Sequence, residues 1–319
     1  MRCLMMGTGP FAVPTFHAVC RHHQVVGLIT RPLVANASRK GGPTNPMLEA
    51  SRDLGVASLA PEDVNDESLH PALAELQPDV LVVCDYGQIL SGATLALAPL
   101  GGVNLHGSLL PRYRGAAPIN WAIANGDRET GVTVIHMTQR LDAGPSLVKR
   151  TTPIGADETA PELEQRLSQI GADAVLDALE MLRGWDRVSI LGEPQNQSEA
   201  TRAPRLRKEQ GRVDWRSPAL EIRNRVRAFQ PWPGAYTELP AAKFQPLRLI
   251  LNRVSVVNVG EHGQVPGTVL RADGEQLVVA CGQEALSLER IQPAGKRLMD
   301  ASEFLRGYRI PVGQVLSTP

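Results

Sequence analysis

The stretch Cys3-Leu4-Met5-Met6-Gly7-Thr8-Gly9-Pro10-Phe11-Ala12 decides how the first half of the chain folds. Four apolar residues read as a buried strand and two glycines as a tight turn. Pro10 then stands where a helix begins, its φ already near the helical value and its missing N–H one that the first turn does not need. A buried strand feeding directly into a helix is the unit of a parallel or mixed sheet with helices on both faces. The unit recurs along the chain. Short apolar runs at 25–30, 80–84, 103–106, 132–137 and 147–151 read as further strands, and 10–20, 46–54 and 116–125 as helices between them. Residues 158–182 close this half as a long amphipathic helix, with Leu163, Leu167, Ile170, Ala174, Ala178 and Met181 at helical spacing. A Rossmann-like α/β domain is expected over residues 1–183.

Beyond it the composition changes. Gly, Pro, Gln, Asn and Ser cluster at 192–198 and Pro204 follows, which marks 184–206 as a linker. A short helix at 218–228 then precedes strand-like runs at 248–257, 268–271, 277–280 and 285–291, punctuated by Gly and Asp. Short strands with turn signals between them predict an OB-like β-barrel domain over residues 207–319. A chain of 319 residues suits two such domains.

Charge divides the same way. The formal net charge is zero, but residues 201–319 hold 18 Lys/Arg against 11 Asp/Glu, and residues 1–200 hold 15 against 22. Zero net charge therefore does not exclude a nucleic-acid partner. Nine basic side chains (Arg202, Arg205, Arg207, Lys208, Arg212, Arg216, Arg223, Arg225 and Arg227) face only Glu209, Asp214 and Glu221 within 202–227. Beside a small barrel, such a run is either a solvated face or a surface for RNA phosphates. The four cysteines are scattered, without C-x-x-C spacing, so neither disulfides nor a structural zinc is expected and a reducing cytoplasm fits. No apolar run approaches a membrane span, and Gly7 comes too early for a signal peptide.

The densest chemical candidate is Asn104-Leu105-His106-Gly107-Ser108-Leu109-Leu110-Pro111. Two apart in an extended segment, Asn104 and His106 face the same side, at the carboxyl end of a strand, where open α/β sheets bind ligands. An amide that donates to a developing oxyanion, beside an imidazole that moves a proton, is a pair suited to acyl transfer. Asp142, in the loop after the 132–137 strand, either orients that imidazole or closes an Asx-type turn before Gly144. Arg112 and Arg114, flanking Tyr113, either grip a phosphate or remain solvated. The run Asp85-Tyr86-Gly87-Gln88-Ile89-Leu90 ends a neighbouring strand and lines the same crevice. A dinucleotide fingerprint fails at its third glycine, where Ala12 stands, so Gly7-Thr8-Gly9 reads as a structural turn. Neither a metal-ligand spacing, a G-x-S-x-G elbow nor a Walker loop is present.

Taken together, Asn104 to Ile119, Gly126-Asp127, Thr130-Gly131-Val132-Thr133 and Leu141-Asp142-Ala143-Gly144 resemble the folate-dependent formyltransferases. The stretch from Phe229 to Tyr236 and Gln292-Pro293-Ala294-Gly295-Lys296 resemble the branch that acts on initiator methionyl-tRNA. The resemblance covers nearly the whole chain in order. It implies a translation-initiation enzyme that uses 10-formyltetrahydrofolate as formyl donor and needs no metal. It assigns catalysis to Asn104, His106 and Asp142. It assigns the folate to Ser108, Leu109, Leu110 and Pro111, with the pterin ring against the loops holding Tyr86, Gly87, Ile89 and Gln139. Arg39, Lys40, Arg112, Arg114, Arg205, Arg207 and Lys208 are the expected tRNA contacts. A cytoplasmic monomer is expected. A formyltransferase for another amine, such as an amino-sugar nucleotide, would share the first half but would not need the basic second half.

Overall fold

The computed structural model of the chain describes residues 1–33, 45–240, 246–260 and 263–317. These residues form two compact units. One comprises Met1–Pro118, Glu129–Pro153 and Glu162–Pro204; the other comprises Ile119–Arg128, Ile154–Pro161 and Arg205–Pro319.

The first unit is built on strands β1 (Arg2–Met6), β2 (Gln24–Ile29), β3 (Ser58–Leu59), β4 (Val80–Cys84), β5 (Gly102–His106), β7 (Glu129–His136) and β8 (Ser146–Pro153), while β6 (Arg114–Gly115) lies outside the main sheet. The seven strands run in the order β3-β2-β1-β4-β5-β7-β8. The pairs from β3 to β5 are parallel, and β7 is antiparallel to both β5 and β8. The mixed sheet expected from the apolar runs is thus present, with β7 starting three residues earlier than its apolar pattern. All five residues of β4 are buried, as befits a central parallel strand covered on both faces. Because β1 pairs with β2 on one side and β4 on the other, the chain reverses its order there. The carboxyl ends of β1, β4 and β5 therefore lie where open α/β sheets bind their ligands.

Pro10 does start a helical segment: a 3-10 turn, Pro10–Ala12, leads into α1 (Val13–His22). The glycines before it are set by close packing. A Cβ on Gly9 would fall 1.7 Å from the Asp85 carboxylate, and one on Gly7 would meet Cys84 O at 2.9 Å. Then come α2 (Pro46–Asp53), α3 (His70–Glu75), α4 (Gly92–Leu95), α5 (Pro118–Ala124) and α6 (Ala160–Arg183). Asn45 caps α2 by accepting from Leu48 N at 3.0 Å. The long helix α6 buries Leu163, Leu167, Ala174, Ala178 and Leu182. Gly171 on it leaves no room between helix and sheet, since a Cβ there would lie 2.5 Å from Leu105 Cδ2. The helix thus backs the strand that carries Asn104 and His106. On the sheet itself, Leu4, Met6, Ile29, Leu81, Val83 and Tyr86 form one apolar cluster. Each such side chain contributes about 1.5–3 kcal/mol by leaving water.

β9 (Arg202–Ala203) returns to this unit and pairs in parallel with β6. The second unit holds α7 (Ala219–Ala228), β10 (Ala235–Leu239), β11 (Leu247–Val257), β12 (Val269–Ala272), β13 (Leu277–Ala280), β14 (Ala285–Pro293), β15 (Met299–Asp300) and α8 (Ala301–Gly307). Its antiparallel strands run β10-β11-β14-β13-β12, with β15 added beside β14. Among the described residues no ladder joins β10 to β12, so a closed strand-to-strand barrel is not what the ladders make. The tail lies at both outer strands instead. Val269 N donates to Gln314 O (2.8 Å), Leu316 N to Gly267 O (2.9 Å) and Ser317 N to Glu238 O (3.0 Å). Trp215 is fully buried at the centre, and its Nε1–H donates to Thr237 Oγ1 at 3.1 Å. Two short pieces of the first half of the sequence also belong here. Asn120 Nδ2 donates to Ala228 O at 2.7 Å, and the 155–158 turn receives Arg223 and Arg227. All four cysteines are free thiols.

Candidate active site

Strand alternation fixes the first two site residues. Asn104 and His106 extend from the same face of β5, Asn104 level with Val83 and Ile135, and His106 level with Thr133. The loop after β7 brings Asp142 to them. Asn104 Nδ2 donates to Asp142 Oδ1 at 3.4 Å, and His106 Nδ1 lies 3.8 Å from Oδ2. A backbone amide completes the cluster, with Gly115 N donating to Oδ2 at 2.9 Å. His106 Nε2 lies 2.8 Å from Tyr113 O. A carbonyl only accepts, so Nε2 carries the hydrogen and Nδ1 is the nitrogen left facing the carboxylate. His106 and Asp142 are both buried. Low local dielectric strengthens such contacts.

Asp142 also sits at φ 51°, in the left-handed region that Asp tolerates better than most residues. The turn here is a main-chain one, with Ala143 N donating to Arg140 O at 3.3 Å, while the Asp142 carboxylate faces Asn104, Gly115 N and His106 rather than closing an Asx turn. Gly144 allows the loop to fold back on its strand, since a Cβ there would lie 1.8 Å from His136 O.

The Ser108-Leu109-Leu110-Pro111 loop is stitched to β7. Thr133 Oγ1 donates to Ser108 O (2.7 Å) and accepts from Leu110 N (3.0 Å), while Ser108 Oγ donates to Arg112 O (2.7 Å). The Leu110–Pro111 peptide is cis. Tyr86 turns its ring into the apolar cluster, where its buried hydroxyl has no partner among the described residues and desolvation pushes the phenol up to about 12. Its loop therefore presents backbone and Ile89, which is 61% exposed. Gln88 and Asn65 hold that loop: Val64 N donates to Gln88 Oε1 (2.8 Å) and Asn65 Nδ2 to Ile89 O (2.9 Å). Gln139 lies against Gly92, so the loops after β4 and β7 adjoin, with exposed Leu141 on the second. At the end of β4, Asp85 is exposed as a residue but packs its carboxylate over Gly9, where desolvation and then the Glu164 charge push the carboxyl up to about 7.

The basic residues divide. Arg112 is exposed with its guanidinium 5.1 Å from the Tyr113 ring centroid, and Arg114 donates to Gln195 and Gln197. Arg205, Arg207 and Lys208 are exposed in the second unit. Arg39 and Lys40 lie outside the described residues. Arg223 and Arg227, counted in the basic run, point inward to the 155–158 turn, so that run is not one uniform face. Sequence reading did not single out Tyr113 O, Gly115 N or Gln195. The first two are main-chain groups, which leave no residue-type signal, and Gln195 lay in a stretch read as linker. Among the described residues no group of three or more His, Cys, Asp or Glu could hold a metal ion, and no helix is long and apolar enough to cross a membrane.

A strand-end amide, imidazole and carboxylate gathered on a mixed α/β sheet are groups that acyl transfer can use. Residues 1–179 match the family model described as formyl transferase, and residues 205–309 match its C-terminal domain. The chain belongs to the formyl transferase family. A methionyl-tRNA formyltransferase of Rhodopirellula baltica is 45% identical over 100% of this chain and 97% of its own length. One of Caldanaerobacter subterraneus subsp. tengcongensis is 39% identical over 99% and 100%. Among solved structures, HypX from Aquifex aeolicus in complex with tetrahydrofolic acid shares the fold (TM-score 0.61, 19% identity, 96% of this chain and 47% of that one). So does the sugar 3N-formyl transferase WlaRD (TM-score 0.63, 15% identity, 93% and 99%).

Proposed function

We propose that this chain transfers the formyl group of 10-formyltetrahydrofolate to the α-amine of methionine on initiator methionyl-tRNA, giving the N-formylmethionyl-tRNA used to start translation. The observation that carries this reading is the meeting of Asn104, His106 and Asp142 at the end of β5, in a chain whose full-length relatives bear that activity in their name.

In the reaction, the neutral amine attacks the formyl carbon, and negative charge gathers on the formyl oxygen. The Asn104 amide donates to that oxygen. With Nε2 of His106 committed to Tyr113 O, Nδ1 is the nitrogen that takes the proton the amine loses and passes it to N10 of the folate as the bond from the formyl carbon to N10 breaks, releasing tetrahydrofolate, and the Asp142 carboxylate steadies the imidazolium in between. The donor fits the site on three counts: the two adjoining loops, their exposed Ile89 and Leu141, and the pinned Ser108-Leu109-Leu110-Pro111 loop. Tyr86, Gly87, Ile89 and Gln139 hold its ring, largely through main-chain groups. Arg112, Arg114, Arg205, Arg207 and Lys208, with Arg39 and Lys40, contact tRNA phosphates. Residues 1–183 act as the catalytic domain and 207–319 as the RNA-binding domain, while 184–206 connects them and packs Gln195, Thr201 and β9 on the loops of the former. In that last domain the 313–317 tail, bonded to both outer strands, supports an OB-like barrel. A cytoplasmic setting follows from the reaction.

The test offers the protein 10-formyltetrahydrofolate with either methionyl initiator tRNA or an amino-sugar nucleotide. Formylation of the tRNA alone is expected; formylation of the sugar alone would overturn the reading. Asn104→Ala and His106→Ala should each lower kcat about 100- to 1000-fold, the effect of losing one oxyanion donor worth about 2.7–4 kcal/mol, while folate still binds. Near-normal turnover in either would remove that residue from the chemistry.

A further inference from the structure

Gln195 spends its whole side-chain amide on the catalytic loops. Its Nε2 donates to Asp142 O at 2.9 Å and Gly144 O at 2.7 Å, so both N–H groups are used on the loop that carries the carboxylate. Its Oε1 accepts from Arg114 Nη2 (2.5 Å) and Nε (3.2 Å). The chain just after it is fastened to the loop on the other side of Asp142. Arg114 N donates to Thr201 O (2.9 Å), Tyr113 N to Thr201 Oγ1 (2.8 Å) and Ala117 N to Ala203 O (3.2 Å), alongside the β6–β9 pairing. That second fastening sets Gly115, whose N–H holds the Asp142 carboxylate, and Tyr113, whose carbonyl holds His106. Asp142 keeps a left-handed backbone at the buried end of a loop whose residues 138–141 are exposed. Among the described residues the loop's own backbone contributes the 3.3 Å turn bond from Ala143 N and, at its base, the 2.9 Å bond from His136 N to Pro145 O, and two further bonds come from Gln195.

We propose that Gln195 is a positioning residue for formyl transfer, clamping the Asp142–Gly144 loop so that the carboxylate stays in register with His106 and Asn104. This rests on the catalytic assignment of Asp142 proposed above. The donating half of the amide matters most: a carboxylate at 195 would still accept from Arg114 but would set oxygens against two carbonyl oxygens.

The experiment compares Gln195→Met, which keeps the length and loses every bond, with Gln195→Glu, which keeps only the acceptor. Asp142→Asn and the double variant Asp142→Asn/Gln195→Met complete the set. Steady-state kinetics are read with Tm and with hydrogen exchange of residues 139–144. Misplacing a reacting group by about 1 Å costs up to about 100-fold in rate, so both Gln195 variants should lose about 10- to 100-fold in kcat with KM for folate nearly unchanged. Loop amides should exchange faster in Gln195→Met at unchanged Tm. The double variant should be no slower than Asp142→Asn, because groups acting as one unit are not additive. Wild-type kcat in Gln195→Glu, multiplicative losses in the double variant, or unchanged exchange in the loop would each overturn the proposal. Wild-type kcat in Asp142→Asn together with a loosened loop in Gln195→Met would leave the clamp standing and remove Asp142 from the chemistry.

Discussion

Asp85 shows how a single side chain ties stability to pH. Its carboxyl lies over Gly9, and desolvation raises it to about 7. A folded-state value above the unfolded value of 3.8 means that the folded chain binds the proton more tightly. Stability from this group is full at low pH and is lost as pH rises from about 4 through about 7. Asp85→Asn should therefore flatten the fall of Tm across that window and raise Tm at pH 8, leaving it unchanged near pH 4; thermal melts at several pH values measure this, and parallel curves would refute it. At the same scale, Asn104, His106 and Asp142 were legible because strand alternation and loop position are printed in residue types. Tyr113 O and Gly115 N were not, since any residue supplies a carbonyl or an amide and only the fold says which ones arrive.

Helix α7 separates two uses of positive charge that composition merges. Arg227 is buried and donates to Asn224 and to the carbonyls of Gly155 and Glu158; Arg223 pairs with Asp157 and Ala156 O. Arg205, Arg207 and Lys208 stay in solvent. Removing a buried, hydrogen-bonded cation leaves several acceptors unmet, at about 1–3 kcal/mol each. Arg227→Ala should accordingly lower Tm, whereas Arg205→Ala/Arg207→Ala/Lys208→Ala should keep Tm and raise KM for tRNA several-fold. The reverse pattern in melting and kinetics would exchange their roles. The strands of the first unit were readable because fully buried parallel strands are plain apolar runs. β10 and α8 went unread: β10 follows a Pro-rich stretch of mixed polarity and is held by β11, and α8 is a seven-residue helix fixed by packing Phe304 into the core.

Over the whole molecule, the opposed charges of the two sequence halves predict unequal responses to salt. Phosphate contacts release counterions, so KM for tRNA should climb steeply between low and moderate salt, while KM for folate, whose proposed loops are mainly neutral, should move far less. Parallel salt dependence of the two constants, measured under the same conditions, would contradict an RNA surface built from the basic half. One feature of the chain's layout bears on how it can be divided. The family matches end at residue 179 and resume at 205, and the segment between them holds Gln195, Thr201 and β9 against the catalytic loops. A fragment cut where α6 stops would keep all seven strands of the sheet and lose the bonds that Gln195 and Thr201 make to the loops carrying Asp142 and Tyr113. A graft that exchanges C-terminal units should therefore splice after Pro204, carrying those twenty-odd residues with the enzyme half.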